Sequence, residues 1–452
     1  MNKFKERIIS DILKLVSIKS FTDDRKDIME CQTAVCEMAS DLGMVCSYHG
    51  DVLVIEPRDR TGSPELGIVV HLDTVPFNEK EWKTNPLGEI KDGRIYGRGV
   101  VDDKSAIVLA MYAMIEKSKH IRPSWQIIVG TSEEGKWIDM KEYVESGVEL
   151  PKFLITIDGD GVQNGCRGYM DLKLTFGRVS DTKHMTDLKV VGGANNAVPG
   201  KAVAIVDGTV IEMIGKSAHS SIPHTGQNAL VNLLYSMFST DGEFPGLFKL
   251  GECLKDNHNA RCVGFKEHPE MIGGQNVGYT SVCMTNCHYN GDEIIVNLNI
   301  RFSPYVTKEE IEDAINIICT EYGCTAQVED MKMPAYISPE CKEIQMMLDA
   351  YEEVIGKKTE ATFALGCGYN AALPNCAIFG PRFAVEHDEE DTCHAEDENR
   401  SIDDTLTFFE MLCVFIENFY SKNDRLIKSE RGADDWIVRF FFYKNINIFA
   451  LN

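Results

Sequence analysis

Three short apolar runs in this chain each stop at residues able to bind a cation. Gly67-Ile68-Val69-Val70 leads into His71-Leu72-Asp73, and Gln126-Ile127-Ile128-Val129 leads into Thr131-Ser132-Glu133-Glu134-Gly135. The third, Phe153-Leu154-Ile155-Thr156-Ile157, leads into Asp158-Gly159-Asp160. Runs this short and this apolar read as strands buried on both faces, and a helical stretch from Ser105 to Met114 lies between the first two. Strands alternating with helices predict an α/β fold, a sheet covered by helices. In open sheets of that kind, ligands bind just outside the carboxyl ends of the strands. Three strands would therefore carry a histidine and several carboxylates to one edge, which points to a metal site.

The flanking segments extend this pattern and then interrupt it. Apolar residues at helical spacing run from Ile8 to Val16, and again from Met29 to Met44, where Cys31, Ala34, Val35, Met38 and Leu42 share a side. From about Lys173 to Tyr305 the texture changes to period-2 alternation, clearest in Asp171–Phe176 and Glu293–Phe302, as expected of an antiparallel sheet with one wet face. The α/β character returns with Cys376–Gly380 and a last helix, Ile402 to Tyr420. The expected organisation is a split metal-binding domain, residues 1–172 and 335–425. A second α+β domain, residues 173–334, is inserted in it, and a tail of unknown role covers 426–452.

Charge and cysteine content narrow the function. The 452 residues carry 46 Lys+Arg against 70 Asp+Glu, a formal charge of −24, which disfavours nucleic acid and anionic lipid as partners. No uncharged apolar run reaches the ~18–20 residues needed to span a bilayer. The fifteen cysteines show no CxxC pairing and read as reduced thiols of a cytoplasmic protein.

Each cluster has its own chemical reading. In an extended segment His71 and Asp73 point to one side, so the carboxylate can orient a metal-bound imidazole, that of His71 or of a different ligand. Gly97-Arg98-Gly99-Val100-Val101-Asp102-Asp103-Lys104 places an acidic pair at a helix start, suited to a divalent cation and hostile to phosphate. The adjacent Glu133 and Glu134 can divide two tasks, one ligating metal and the other moving a proton.

In order and spacing, His71-Leu72-Asp73-Thr74-Val75-Pro76, Trp82 with Pro86-Leu87, Gly93 through Lys104 and Glu133-Glu134 resemble the M20 metallopeptidase family, within it the bacterial dipeptidase V-like branch. Gly215-Lys216-Ser217-Ala218-His219-Ser220-Ser221-Ile222-Pro223, Gly226-Gln227-Asn228-Ala229 and His394-Ala395-Glu396-Asp397-Glu398 continue the resemblance to about Tyr420. The resemblance implies a zinc-exopeptidase-like catalytic domain with an inserted lid or dimerisation domain. It also implies two divalent metal ions, zinc first with manganese or cobalt as alternatives, sharing one aspartate and one water. Carried over residue by residue, His71 and Asp158 are ligands of one metal, Glu134 and His394 of the other, and Asp102 bridges them, followed by a cis peptide bond to Asp103. Asp73 orients His71, Glu133 is the general base, and His219 hydrogen-bonds the substrate carbonyl as it becomes an oxyanion. Asn196 corresponds to a lid residue that contacts substrate. The implied activity is hydrolysis of small peptides, most of all dipeptides, by a monomer or homodimer; the alternatives are an N-acyl or N-carbamoyl amino acid amidohydrolase and, against the intact Glu133, Asp73 and His219, a metal-binding scaffold without catalysis.

One departure bears on substrate. Where relatives carry a Gly-Gly-Thr-Tyr-Ala-Arg run, this chain reads Gly366-Cys367-Gly368-Tyr369-Asn370-Ala371. The arginine that holds a substrate carboxylate is thus Ala371, with Arg167, Arg301 and Arg382 as candidates to replace it. Tyr369 and Arg301 are taken with Asn196 as substrate-binding residues. Cys393, beside His394, could bind zinc as a thiolate, but metal pairs of this class use histidine and carboxylate, so it reads as structural. The acidic run Glu386–Asp391 reads as a solvated loop, and Trp436–Tyr443 is an aromatic stretch beyond the resemblance.

Overall fold

The computed structural model describes residues 3–179, 185–192, 196–383 and 392–429, so the acidic run Glu386–Asp391, with His387, and the aromatic stretch Trp436–Tyr443 lie outside the described residues. The chain divides into two compact units. Of the described residues, one holds those up to Gly165, then Tyr336–Ala364 and those from Gly368 to Ser429; the other holds those within Cys166–Ala335 together with Leu365–Cys367.

In the first unit a mixed sheet sets Met44–His49, Val52–Pro57, Trp125–Gly130, Leu66–His71, Phe153–Thr156, Cys376–Phe379 and Val162–Cys166 side by side, and Thr362–Ala364 joins the last. The four strands Trp125–Gly130, Leu66–His71, Phe153–Thr156 and Cys376–Phe379 are mutually parallel and buried along their whole lengths. That is the expected consequence of near-continuous apolar runs covered on both faces. Register does the positioning. His71 pairs with Gly130 and Val69 with Thr156, so the segments beginning at Leu72, Thr131 and Ile157 all leave the sheet along one edge.

Helix Lys104–Lys117 is buried at every position from Lys104 to Met114 and packs against Leu66–His71 and Trp125–Gly130. A helix apolar on all sides belongs in a core, and this one fixes Asp102 and Asp103 at its amino end beside the sheet edge. Helix Lys5–Val16 buries Ile8, Ile12, Leu15 and Val16 at the expected spacing. The next helix, Arg25–Asp41, begins before the expected Met29 and ends before the expected Met44, because Gly43 takes a left-handed φ of 80° and Met44 opens a strand. The last helix runs on past Tyr420 to Ser429.

The second unit is an antiparallel sheet in the order Thr209–Ile214, Lys201–Val206, Met185–Val190, Ser281–Tyr289, Glu293–Phe302, Gly168–Gly177, Thr325–Lys332. Strand Gly168–Gly177 alternates as its sequence predicts, with Met170, Leu172, Leu174 and Phe176 buried. Leucines of helices Ala229–Met237 and Pro245–Leu254, and Ile311, Ala314 and Ile318 of Lys308–Tyr322, complete that core. All fifteen cysteines are free thiols. No helix among the described residues is long and apolar enough to cross a membrane.

Candidate metal centre

The sheet edge gathers the five expected ligands. Single ligand atoms of His71, Asp102 and Asp158 lie within 4.8 Å of one another, and so do those of Asp102, Cys393 and His394. Asp102 belongs to both sets. Its Oδ1 stands 2.8 Å from His71 Nε2 and its Oδ2 2.9 Å from His394 Nε2, while Glu134 Oε1 is 2.8 Å from the same His394 nitrogen. The Asp102–Asp103 peptide bond is cis, as the resemblance implies.

The hydrogen bonds around these groups decide which way the donors face. His71 Nδ1 is 3.0 Å from the Asp73 carbonyl oxygen and 3.3 Å from the Asp73 carboxylate, so that nitrogen carries the proton. Against the opposing effect of burial, the hydrogen bonds to Asp102 and Asp73 raise the His71 pKa well above its usual value, so with no cation bound a proton sits between Nε2 and Asp102 Oδ1. Two acceptors facing at that distance need a proton or a cation between them. His394, in a left-handed conformation with φ of 61°, aims Nε2 at two carboxylate oxygens in the same manner.

Charge supports the cation. Burial, and next the charge on Asp158, pushes the Glu133 carboxyl well above the usual carboxylate range; Glu134 and Asp158 are raised too, by burial and the neighbouring Asp102. Asp103 is fully buried, is raised by burial, and leaves Oδ1 without a partner among the described residues. The nearby cations are otherwise engaged: Arg98 pairs with Glu398 at 2.7 Å, and Lys104 donates to the Ile18 carbonyl. A surplus of buried carboxylates facing two imidazole nitrogens is a donor set that divalent metals neutralise. The residues fit two cations sharing Asp102.

The Glu133–Glu134 loop is held rigidly from behind. Asp73 is fully buried and accepts from both backbone N–H groups, Oδ1 from Glu133 and Oδ2 from Glu134, each at 3.1 Å, and from the Thr22 hydroxyl at 2.9 Å. Trp137 Nε1 donates to the Glu133 carbonyl at 2.7 Å. Gly368 backs onto the far side, where a Cβ would stand 3.1 Å from Glu133 Oε1 and 3.4 Å from Asp158 Oδ2. Asp73 thus aligns the loop as well as His71, a double role that its residue type alone does not disclose.

Tyr369 is a correction. Expected at the substrate, it is buried under the site instead. Its hydroxyl donates to Asp139 Oδ2 at 2.7 Å and accepts from Ser132 N at 3.1 Å, and its ring stands edge-on to His71 and against Gly130. With both hydrogen-bonding directions used inward, it buttresses the loop. Tyr369→Phe should lower stability by about 1–3 kcal/mol, read by denaturant unfolding, because it strands the Ser132 N–H and one bond of a buried carboxylate. Cys393 also stands in the site: its thiol donates to Asp102 Oδ2 at 3.0 Å, and burial pushes it up to about 12.

Glu398 and Asp139 support the site without standing out in the sequence. Glu398 is fully buried, and its Oε1 accepts from the backbone N–H groups of Gly99, Val101 and Asp102, fixing the loop that carries the shared aspartate. Asp139 accepts from Thr131 N at 2.6 Å. The acidic cluster after His394 is the one signal in the chain that points toward Glu398.

The second unit brings Asn196, His219 and Arg301 into one neighbourhood. Ser220 N donates to the Asn196 carbonyl, and Ala197 bridges to His219. His219 Nδ1 accepts from the Ser221 backbone N–H at 3.2 Å and lies 2.7 Å from the Ser221 hydroxyl. A backbone N–H can only donate, so the neutral ring carries its proton on Nε2. Burial, and then the charge of Arg301, lowers the His219 pKa and keeps that neutral form at physiological pH. Of the three candidate arginines, Arg167 is engaged by carbonyls of Ser221, Tyr279 and Arg301, and Arg382 pairs with Asp160 at 2.7 Å. Arg301, lying over the Tyr169 ring, bonds Asn299 and Ser220 beside His219.

Comparisons with known proteins bear on the fold and the family. A Beta-Ala-Xaa dipeptidase from Lactobacillus delbrueckii subsp. lactis is 25% identical over 476 residues, covering 92% of this chain and 96% of the relative. Among solved structures, the M20 family metallo-carboxypeptidase Sso-CP2 from Sulfolobus solfataricus matches with a TM-score of 0.63 at 14% identity, covering 93% of this chain and all of that one. Human carnosine dipeptidase 1 matches with 0.59 at 12% identity, covering 92% and 97%. At those identities the structures speak for the fold. Residues 67–418 match the model described as Peptidase family M20/M25/M40, and the chain belongs to that family.

Proposed function

We propose that this protein hydrolyses the peptide bond of dipeptides with two divalent cations bound at the sheet edge. The observation that carries the reading is the pair of ligand sets sharing Asp102. His71 and Asp158 hold one cation, Glu134 and His394 the other, and Asp102 both. When bound, such a pair lowers the pKa of water and polarises the scissile carbonyl. Zinc is the proposed native metal, since imidazole with carboxylate suits it.

The chain's own groups supply the rest. Glu133 accepts the proton of the attacking water and returns it to the leaving amine; the hydrogen bonds to its backbone and its raised pKa suit a group that must both take and give. Asp73 is a positioning residue for His71 and for that loop. His219 offers Nε2–H to the carbonyl oxygen as negative charge develops there. Asn196 contacts the substrate, and Arg301 holds its carboxylate in place of the arginine absent at Ala371. In this reading residues 173–334 form a lid or dimerisation domain inserted between residues 1–172 and 335–425, in a cytoplasmic monomer or homodimer.

Hydrolysis of unmodified dipeptides, measured beside N-acyl and N-carbamoyl amino acids, tests the substrate. Dipeptide turnover that a chelator abolishes and zinc restores is the expected result. A preference for the acylated substrates would overturn the dipeptidase assignment, and full activity after metal removal would overturn the mechanism. Chelation should also lower the melting temperature, since it removes a ligand that binds only the folded state and leaves clustered carboxylates repelling one another.

A further inference from the structure

We propose that Cys393 is a ligand of the His394-side cation, giving that cation a thiolate beside imidazole and carboxylate. The inference rests on the two-cation reading above and goes beyond its ligand set. Cys393 Sγ and His394 Nε2 converge on one atom, Asp102 Oδ2, at 3.0 Å and 2.9 Å. With Asp102 they form a set whose ligand atoms all lie within 4.8 Å of one another. Ligands about 2.0–2.3 Å from a common ion stand up to ~4–4.6 Å apart, so one cation reaches all three with little adjustment. The left-handed backbone at His394 accompanies this arrangement, with the side chains of consecutive residues meeting at one point.

The chemistry is definite. On metal binding the Cys393 S–H bond breaks, its proton passes to solvent, and the sulfur lone pair forms the bond to the cation. A soft sulfur donor favours zinc or cobalt over manganese, which prefers oxygen. The two halves of the centre would therefore differ, with nitrogen and oxygen ligands on the His71 side and a sulfur added on the His394 side.

Cobalt substitution of the full chain reads the bond directly. Cobalt-loaded protein should bind two ions per chain and show the intense near-ultraviolet thiolate-to-cobalt charge-transfer band. Cys393→Ser should still bind cobalt and lack that band, and its zinc affinity relative to manganese should fall ~10-fold or more, measured by competition. Cys393→Ala serves as the second variant, with thermal melting to establish that either change leaves the chain folded. Two bound ions with no band in the unsubstituted protein, or an unchanged band in folded Cys393→Ser, would overturn the proposal and leave the two-cation reading standing. Failure to bind cobalt at all would overturn both.

Discussion

Replacing Glu133 with glutamine should lower kcat for dipeptide hydrolysis by about 10²–10⁴-fold while two metal ions stay bound. The amide keeps the side chain's shape, and Asp73 and Trp137 hold the loop by its backbone, so the site around position 133 should not move. What disappears is an acceptor for the proton of water. Stability should not fall, because the substitution removes one member of a cluster of buried carboxylates that raise one another's proton affinity. Metal analysis, a thermal melt and steady-state kinetics on one preparation separate the outcomes. If metal were lost along with activity, Glu133 would be a ligand, and the division of labour between the two adjacent glutamates would be wrong.

Asp102→Asn should have the broadest effect of any single change, because one carboxylate serves both ligand sets. The amide removes the negative charge and leaves one oxygen where two were used, so at most one cation keeps a full set of partners. Metal content after dialysis should fall from two ions per chain to one or fewer. Activity should drop by more than the ~10–100-fold typical of losing a residue that merely supports a ligand. Without Asp102 the His71-side ion keeps only His71 and Asp158, while the other keeps Glu134, His394 and Cys393, so the His71-side ion should leave first.

Much of this centre is legible in the chain because the strands that build it are short, apolar and abruptly terminated. A run such as Gly67–Val70 has little choice but to be buried, and the first polar residues after it must surface at the sheet edge. That argument, which needs only the order of residues, brings His71, Asp158 and the Glu133–Glu134 pair together. The cis bond after Asp102 and the roles of His394 and His219 come from resemblance, since no periodicity encodes them. The supporting shell is harder to see. Tyr369 reaches Asp139 across 230 positions and Glu398 reaches the Asp102 loop across nearly 300, and a contact made across so much sequence leaves no local pattern. Tyr369 is misread for that reason: a tyrosine in a glycine-rich loop looks available to a ligand until its hydroxyl is found bonded inward. The helix ending at Asp41 is overextended for a simpler one, a glycine after it whose left-handed φ stops the helix.

Anomalous scattering from crystals of the zinc-loaded protein tests the central claim most directly. Two peaks are expected, one touching His71 and Asp158, the other Glu134 and His394, with a carboxylate oxygen of Asp102 on each. A single peak, or a pair that leaves Asp102 uncoordinated, would contradict a shared-carboxylate centre and the chemistry built on it.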